Sequence, residues 1–140
     1  MKDTQLAYQL RILFDQKITS AYWDSYKGQL GKVQIEVLDY LYNNRIARVY
    51  EIAENLNIPK QHASKILSQF EQMGFVNKKP DAEDKRGALF SLTESGIIFI
   101  QDHISYSDGK FLNLMEQLEC QERENFADAM RIMVTILEKL

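Results

Sequence analysis

The chain has few residues that support catalytic or metal chemistry. It contains one cysteine, Cys120, and two histidines, His62 and His103, within 140 residues. A single cysteine excludes an internal disulfide framework. The histidines fall in different predicted elements, whereas a zinc site needs about four ligands. No glycine-rich phosphate loop and no paired His and Cys or Ser occur at a plausible motif spacing. We therefore expect no metal, no cofactor and no enzymatic activity.

Long apolar runs are also missing. No stretch approaches the ~20 apolar residues of a membrane span, and residues 1–20 lack the apolar segment of a signal peptide. A lone thiol suits a reducing compartment. These absences predict a cytoplasmic protein without a membrane partner, and the length fits a single domain spanning residues 1–140.

The charge balance is acidic overall but uneven along the chain. The net charge is −3, although nucleic-acid binders are often basic. Residues 45–90 carry eight basic and six acidic residues, and the remainder carries nine and fourteen. The middle of the chain is thus mildly positive. Because phosphate contacts need local cations rather than a basic protein, nucleic acid stays a candidate partner for this segment.

Residues 49–76 have the pattern of a helix-turn-helix unit. A short helix over residues 50–56 is broken before Pro59, since proline disfavours helical geometry in the preceding residue and suits the first turn of a new helix. The second predicted helix runs from Lys60 to Met73, and Gly74 suits a left-handed C-cap. Its inward face comprises Ala63, Ile66, Leu67, Phe70 and Met73. Its polar face comprises Lys60, Gln61, His62, Ser64, Lys65 and Ser68. Such a helix is typical of DNA recognition, and a solvated helix face is the alternative interpretation.

The next segment predicts a β-wing. Phe75-Val76 begins a strand, and a turn led by Pro80 opens a polar loop that carries Asp84 and Arg86. A second strand, Ala88 to Leu92, follows at once. Thr93 then stands at the N-cap position of another helix, where its hydroxyl can bind free backbone N–H groups. Wings of this kind follow helix-turn-helix units in DNA-binding proteins.

Residues 30–96 resemble the winged helix-turn-helix of the multiple-antibiotic-resistance regulator (MarR) family. The matching motifs are Leu30-x-x-x-Gln34-x-x-x-Leu38, Glu51-Ile52-Ala53-Glu54-x-Leu56, Gly74-Phe75-Val76, Asp84-x-Arg86 and Leu92-Thr93-Glu94-x-Gly96. The flanking segments fit the family layout, so the resemblance covers nearly the whole chain. Two positions depart from the pattern: Arg48 replaces a usual Ser or Thr cap, and Gly31 replaces a common Thr. We expect each to weaken a helix cap by about 1 kcal/mol.

The resemblance implies a mainly α fold with a small β-wing. Residues 30–96 would form the DNA-binding lobe, and residues 1–29 and 97–140 a helical dimerisation lobe. It also implies sequence-specific binding to double-stranded DNA, usually as a repressor. The second helix of the unit would enter the major groove, and Arg86 the flanking minor groove, with Asp84 accepting hydrogen bonds from Arg86. Three lysines are candidates for phosphate contacts, with solvated surface charges as the alternative: Lys78, Lys79 and Lys85.

Helical periodicity continues on both sides of the winged segment. It predicts a first helix that reaches about Tyr26, where Lys27-Gly28 ends it, and a second over residues 32–43. Beyond the wing it predicts helices over residues 94–105 and 121–139, with a kink or break at Asp108-Gly109. The terminal helices carry long apolar stripes that no sheet covers. The resemblance implies that they interlock in a homodimer, and packing onto their own domain is the alternative. The predicted interface residues are Leu6, Leu10, Phe126, Met130, Met133 and Leu137.

Regulation is the least specified property. Family members often bind small phenolic or aromatic effectors between their two lobes, and four aromatic residues are candidates for such a pocket: Tyr22, Trp23, Tyr26 and Tyr40. Aromatic residues at helical spacing are also common in protein cores. Cys120 is predicted to be a passive thiol, because related oxidant sensors carry their cysteine near the first helix. A winged-helix interaction module that does not bind DNA is the alternative function, which the acidic balance leaves open although Arg86 and the polar helix face argue against it.

Overall fold

A computed structural model of the chain describes residues 2–20 and 30–140. It is mostly helical, with one small antiparallel sheet, as the sequence predicts. None of its described helices is long and apolar enough to cross a membrane. In chain order, the elements are α1 (Lys2–Phe14), continued by a π-helical turn (Asp15–Thr19), α2 (Lys32–Asn44), β1 (Ile46–Arg48), α3 (Val49–Leu56), α4 (Lys60–Met73), β2 (Val76–Pro80), β3 (Ala88–Leu92), α5 (Glu94–Glu116) and α6 (Cys120–Leu137).

The hydrophobic core belongs to the segment from Leu30 to Ile100. Its largest fully buried side chains come from α2, α3, α4 and α5, so these helices enclose it together with the sheet. Helix α4 contributes Ala63, Ile66, Leu67 and Phe70, at the spacing that the sequence predicts. This packing holds α4 by one face and leaves its other face in solvent.

Three strands form the sheet in the order β1-β3-β2, and both pairs are antiparallel. Phe90 in the central strand lies opposite Ala47 on one side and Lys78 on the other. The sequence predicted β2 and β3 but not β1. A three-residue strand is too short to show a period of its own, and it exists here because β3 offers it an edge.

Two predicted local features are confirmed at the ends of α4 and β3. Gly74 has φ +77° and caps α4 in the left-handed conformation. Thr93 caps α5, since its hydroxyl accepts a hydrogen bond from the Gly96 N–H at 3.1 Å. Both caps therefore fix where α4 and β3 end.

Two predictions about the helices are wrong. Helix α5 runs through Asp108 and Gly109 without a break, because packing of its buried face outweighs the cost of about 1 kcal/mol that glycine brings to a helix. Met73, predicted to point inward, is 48% exposed. It lies in the last turn of α4, beyond the part that the core covers. The predicted end of the first helix, at Tyr26 and Lys27-Gly28, lies outside the described residues.

Candidate nucleic-acid interface

Helix α4 starts directly at Pro59. The Pro59 carbonyl accepts hydrogen bonds from the N–H groups of His62 (3.0 Å) and Ala63 (3.1 Å), so proline begins the helix without needing a donor of its own. The preceding turn closes through Asn57, which has φ 52°, and through a 3.0 Å bond from the Ile58 N–H to the Ala53 carbonyl. This tight turn sets the angle between α3 and α4.

The polar face of α4 is exposed over the first two-thirds of the helix. All six predicted residues on this face lie in solvent. Five of them line one shallow groove of about 600 Å³: Lys60, Gln61, Ser64, Lys65 and Ser68. His62 is also exposed and lies just outside this set. The helix therefore presents amide, hydroxyl and ammonium groups together, which are the groups that contact base edges and phosphates.

Helix α2 is joined to α4 through Gln34. The Gln34 Oε1 accepts a bond from the Gly31 N–H at 2.9 Å, and its Nε2 lies 3.5 Å from Oε1 of Gln69 on α4. Gly31 has no side chain to cap the helix, so Gln34 supplies that end of the capping interaction. The loss expected from the missing Thr is thus partly offset.

The tip of the wing, between β2 and β3, is a loop of residues 81–87 closed by its own hydrogen bonds. The Gly87 N–H donates to the Asp84 carbonyl (3.0 Å), and the Arg86 N–H donates to the Asp84 carboxylate (3.0 Å). We expected Asp84 to hold the side chain of Arg86. In the described wing the bond comes from the main chain instead, because a carboxylate two residues earlier reaches the amide more easily than the distant guanidinium. Asp84 therefore shapes the loop.

The cations of this surface are free of carboxylate partners. Within residues 2–20 and 30–140, no ion pair involves Lys60, Lys65, Lys78, Lys79, Lys85 or Arg86. All six side chains are exposed. Unpaired, exposed cations on one helix and the adjoining wing can bind phosphates without first breaking an internal contact.

Arg48, which the sequence analysis treated only as a weak cap, lies between the start of α3 and the base of the wing. Its main-chain N–H donates to the Glu51 carboxylate at 3.0 Å, but its side chain makes no cap hydrogen bond to α3. Its Nε donates to Asp81 Oδ2 at 2.6 Å, and the guanidinium also lies 3.2 Å from a carboxylate oxygen of Glu83. Asp81 lies 33 positions after Arg48 in the chain, so no local sequence pattern connects Arg48 with Asp81.

The electrostatics of this pair favour both charged forms. The hydrogen bond from Arg48 lowers the pKa of Asp81 below its usual range, and the Glu83 N–H adds to the effect with a 3.0 Å bond to the same carboxylate. The pKa of Arg48 is raised, first by the hydrogen bond to Asp81. The Asp81 side chain is only 2% exposed, so its charge is compensated within the protein.

Of the four aromatic residues predicted to line an effector pocket, Tyr40 alone lies within the residues that the structure describes. Its ring packs against the core, and its hydroxyl accepts a bond from Asn55 Nδ2 at 3.3 Å. It also lines a small cavity of about 340 Å³ beside charged residues of α2, among them Glu36 and Asp39. Tyr22, Trp23 and Tyr26 lie outside the described residues.

The terminal helices expose apolar side chains in the single chain. Leu6 and Leu10 are each 55% exposed, Leu137 is 58% exposed and Met133 is 44% exposed. Phe126 and Met130 are half-buried. A groove of about 600 Å³ runs between α1 and α6, and its lining residues include Leu10, Phe126 and Met133. An exposed apolar groove of this kind is typical of an interaction site.

The fold and this surface define a winged helix-turn-helix protein. The model of the MarR family matches residues 30–87, which comprise α2 to the end of the wing loop. Over this segment the chain is similar to the MarR family, and the curated proteins that it resembles include transcriptional regulators. It is 28% identical over 120 residues to an organic hydroperoxide resistance transcriptional regulator of Bacillus subtilis, which covers 82% of this chain and 78% of that protein.

Solved structures share the fold. A mutant of MepR from S. aureus matches with a TM-score of 0.79 at 24% identity, covering 94% of this chain and 97% of that one. Another mutant of the same protein, bound to an oligodeoxyribonucleotide, matches with a TM-score of 0.69 over the same shares. These matches extend beyond the family model to α1 and α6.

Proposed function

We propose that the protein is a homodimeric repressor that binds a palindromic operator through α4 and the wing. The observation that carries this proposal is the division of α4 into two faces: Ala63, Ile66, Leu67 and Phe70 are buried, while the six polar residues remain exposed beside a wing with unpaired cations. A helix used only for packing has no need of six such exposed groups, five of them along one groove.

In this proposal the exposed start of α4 enters the major groove. Gln61, His62 and Ser64 would face base edges, while Lys60, Lys65 and Ser68 would lie near phosphates. Lysine is a point charge without the bidentate fork of arginine, so phosphate is the better partner for Lys65. The wing would lie over the adjoining minor groove, where a narrow, A·T-rich segment attracts the guanidinium of Arg86. Lys78, Lys79 and Lys85 would contact the backbone on either side.

Residues 30–96 would then act as the DNA-binding lobe, and residues 1–29 and 97–140 as the dimerisation lobe. The exposed apolar groove between α1 and α6 supports this division, because a second copy of the chain would cover it. A two-fold axis places the two α4 helices about one helical turn of DNA apart, roughly 34 Å. A dimer bound over a promoter would block polymerase, which is the basis for proposing repression. The resemblance extends the proposal to a small phenolic or aromatic effector, with Tyr40 near its site.

Titrating DNA with wild-type protein and three variants tests the proposal. The specific duplex is the region upstream of the protein's own gene, and a shuffled duplex of equal length is the reference. Arg86→Ala should weaken specific binding by about 1–3 kcal/mol with an unchanged thermal midpoint. Lys65→Ala should weaken both duplexes alike and lower the salt slope by about one unit. Lys139→Ala removes one exposed cation beyond α6 and should leave both affinities unchanged.

Two results would reject parts of the proposal. Unaltered affinity in Arg86→Ala would remove the wing from DNA recognition. Failure of the wild type to bind any duplex even at about 50 mM salt, where electrostatic binding is strong, would favour the protein-interaction module that the net charge of −3 suggests.

A further inference from the structure

Arg48 lies at the meeting point of the two DNA-facing elements. It is the last residue of β1 and the N-cap of α3, so its backbone belongs to the helix-turn-helix. In the sheet, Arg48 lies opposite Leu89 of β3, and Leu89 lies opposite Lys79 of β2. These three residues are near the end of the sheet that carries the wing loop. The Arg48 side chain therefore reaches the base of the wing from the opposite edge of the sheet.

The partner of Arg48 is the first residue of the wing loop. Asp81 follows the last residue of β2, and its side chain is 2% exposed. One carboxylate oxygen accepts from Arg48 Nε at 2.6 Å, and the other accepts from the Glu83 N–H at 3.0 Å. The Asp81 N–H also faces the Gly87 carbonyl at 3.4 Å, across the neck of the loop. A displacement of Asp81 would therefore move both ends of the wing.

We propose that Arg48 is a positioning residue that orients the wing relative to α3 and α4, so that Arg86 and the recognition helix meet the same DNA segment. This inference rests on the proposed function. Arg48 acts through Asp81 and not by touching DNA itself, because its guanidinium already faces three carboxylates, those of Asp81, Glu83 and Glu51. A group so surrounded has little positive potential left for a phosphate.

The contact with Asp81 gives a reason for arginine, rather than the usual Ser or Thr cap, at position 48. A Ser or Thr would satisfy the start of α3 but could not reach Asp81. In this chain Glu51 binds the Arg48 N–H at 3.0 Å, while the Arg48 side chain, which has no acceptor to cap α3, extends to Asp81. The connection thus joins helix capping and wing orientation at one residue.

Arg48→Thr separates the two roles, since threonine can cap α3 but cannot reach the wing. We expect it to lower the thermal midpoint, because the buried Asp81 carboxylate loses its cation, and to weaken operator binding by the folded protein about tenfold. The double variant with Arg86→Ala should bind DNA less than about twofold more weakly than Arg86→Ala alone. The wing would then already lack the contact that Arg48 orients. Arg48→Lys, which keeps the charge with poorer geometry, should recover part of the lost affinity.

A second variant tests the same connection from the wing. Asp81→Asn keeps an oxygen for the Glu83 N–H but removes the charge that binds Arg48. It should reproduce the loss of affinity and the coupling to Arg86, even if Arg48→Thr were poorly folded.

The outcomes distinguish the inference from the proposed function. Wild-type affinity in Arg48→Thr would overturn the inference. A different result would be that Arg48→Thr weakens DNA binding just as much in the Arg86→Ala background and lowers the salt slope by about one unit. That result would also overturn the inference, because Arg48 would then be a phosphate contact. If Arg86→Ala alone had no effect, the wing contact itself would be rejected and the positioning role with it.

Discussion

Gly96 packs against the main-chain carbonyl of Phe75, at the junction between the end of α4 and the start of α5. A Cβ at this position would lie 2.2 Å from the Phe75 oxygen. The same oxygen accepts the Thr93 N–H at 2.9 Å, and the Thr93 hydroxyl donates to the Gly74 carbonyl at 2.5 Å. The Leu-Thr-x-x-Gly motif is therefore a structural connection that attaches α5 to the C-terminal end of α4.

Gly96→Ala should destabilise the protein by about 1–3 kcal/mol, since the clash is with backbone and no side chain can turn away. The urea midpoint measures the change, and Gly109→Ala is the matched control because it makes the same chemical change on the same helix. An unchanged midpoint in Gly96→Ala would mean that the two backbones are further apart than described.

The buried end of the Arg48–Asp81 pair gives the stability of the protein a pH dependence. The folded state lowers the pKa of Asp81, so the pair stabilises the fold above the pKa of the unfolded chain and loses this effect as pH falls through the folded value. The free energy of unfolding of the wild type should exceed that of Asp81→Asn at neutral pH. The difference should shrink as pH falls below about 4.

Urea unfolding at a series of pH values measures that difference. Glu83→Gln is the matched control, because its carboxylate contacts Arg48 from an 86% exposed position and solvent screens it. A difference between wild type and Asp81→Asn that stays constant from neutral to acidic pH would contradict the assignment.

At the scale of elements, the sequence predicted α4 and β3 with their observed bounds. Both have strong local signals: proline and glycine at the ends of α4, and a polar loop and a Thr cap around β3. The polar face of α4 was predictable for the same reason, because helical spacing assigns its residues to solvent. What escaped prediction depends on contacts between distant segments. Strand β1 exists only as an edge of β3, and Arg48 meets Asp81 only through that strand.

The predicted break at Gly109 failed for a related reason. Glycine is a local signal, but Ile100, His103 and Ser107 are fully or almost fully buried along α5, and this burial holds the helix through the glycine. Outside the neighbouring residues and backbone of α5 itself, a Cβ at Gly109 would have no described atom within 4 Å.

Gly109→Ala should therefore stabilise the protein by about 0.5–1 kcal/mol, because alanine loses less backbone entropy in a helix. The urea midpoint should rise while DNA affinity stays the same. A lower midpoint would show that another part of the assembly covers this position.

At the scale of the whole molecule, the uneven charge has a counterpart in the distribution of apolar surface. The mildly positive segment contains most of the core, whereas the acidic flanks include α6, in which none of the residues is fully buried. Among the described elements, neither α1 nor α6 packs extensively against the winged lobe. The sequence could predict their apolar stripes but not how two copies would pair, because the pairing depends on a second chain.

Met133 on α6 offers a direct test of the proposed homodimer. It lines the groove with Phe126 and Leu10 and is 44% exposed in the single chain. In a monomer, aspartate at such a position should change the free energy of unfolding by less than about 0.5 kcal/mol. In a dimer the same carboxylate would be buried without a partner, which costs several times more. Met133→Asp should therefore sediment as a monomer at micromolar concentration, or unfold at lower urea concentration, while the wild type sediments as a dimer.

Asn125→Asp is the matched control. It adds the same charge to α6 at an exposed site that accepts a hydrogen bond from Gln121, so this variant should remain dimeric. A wild-type monomer, or a Met133→Asp dimer of unaltered stability, would rule out this groove as the subunit interface.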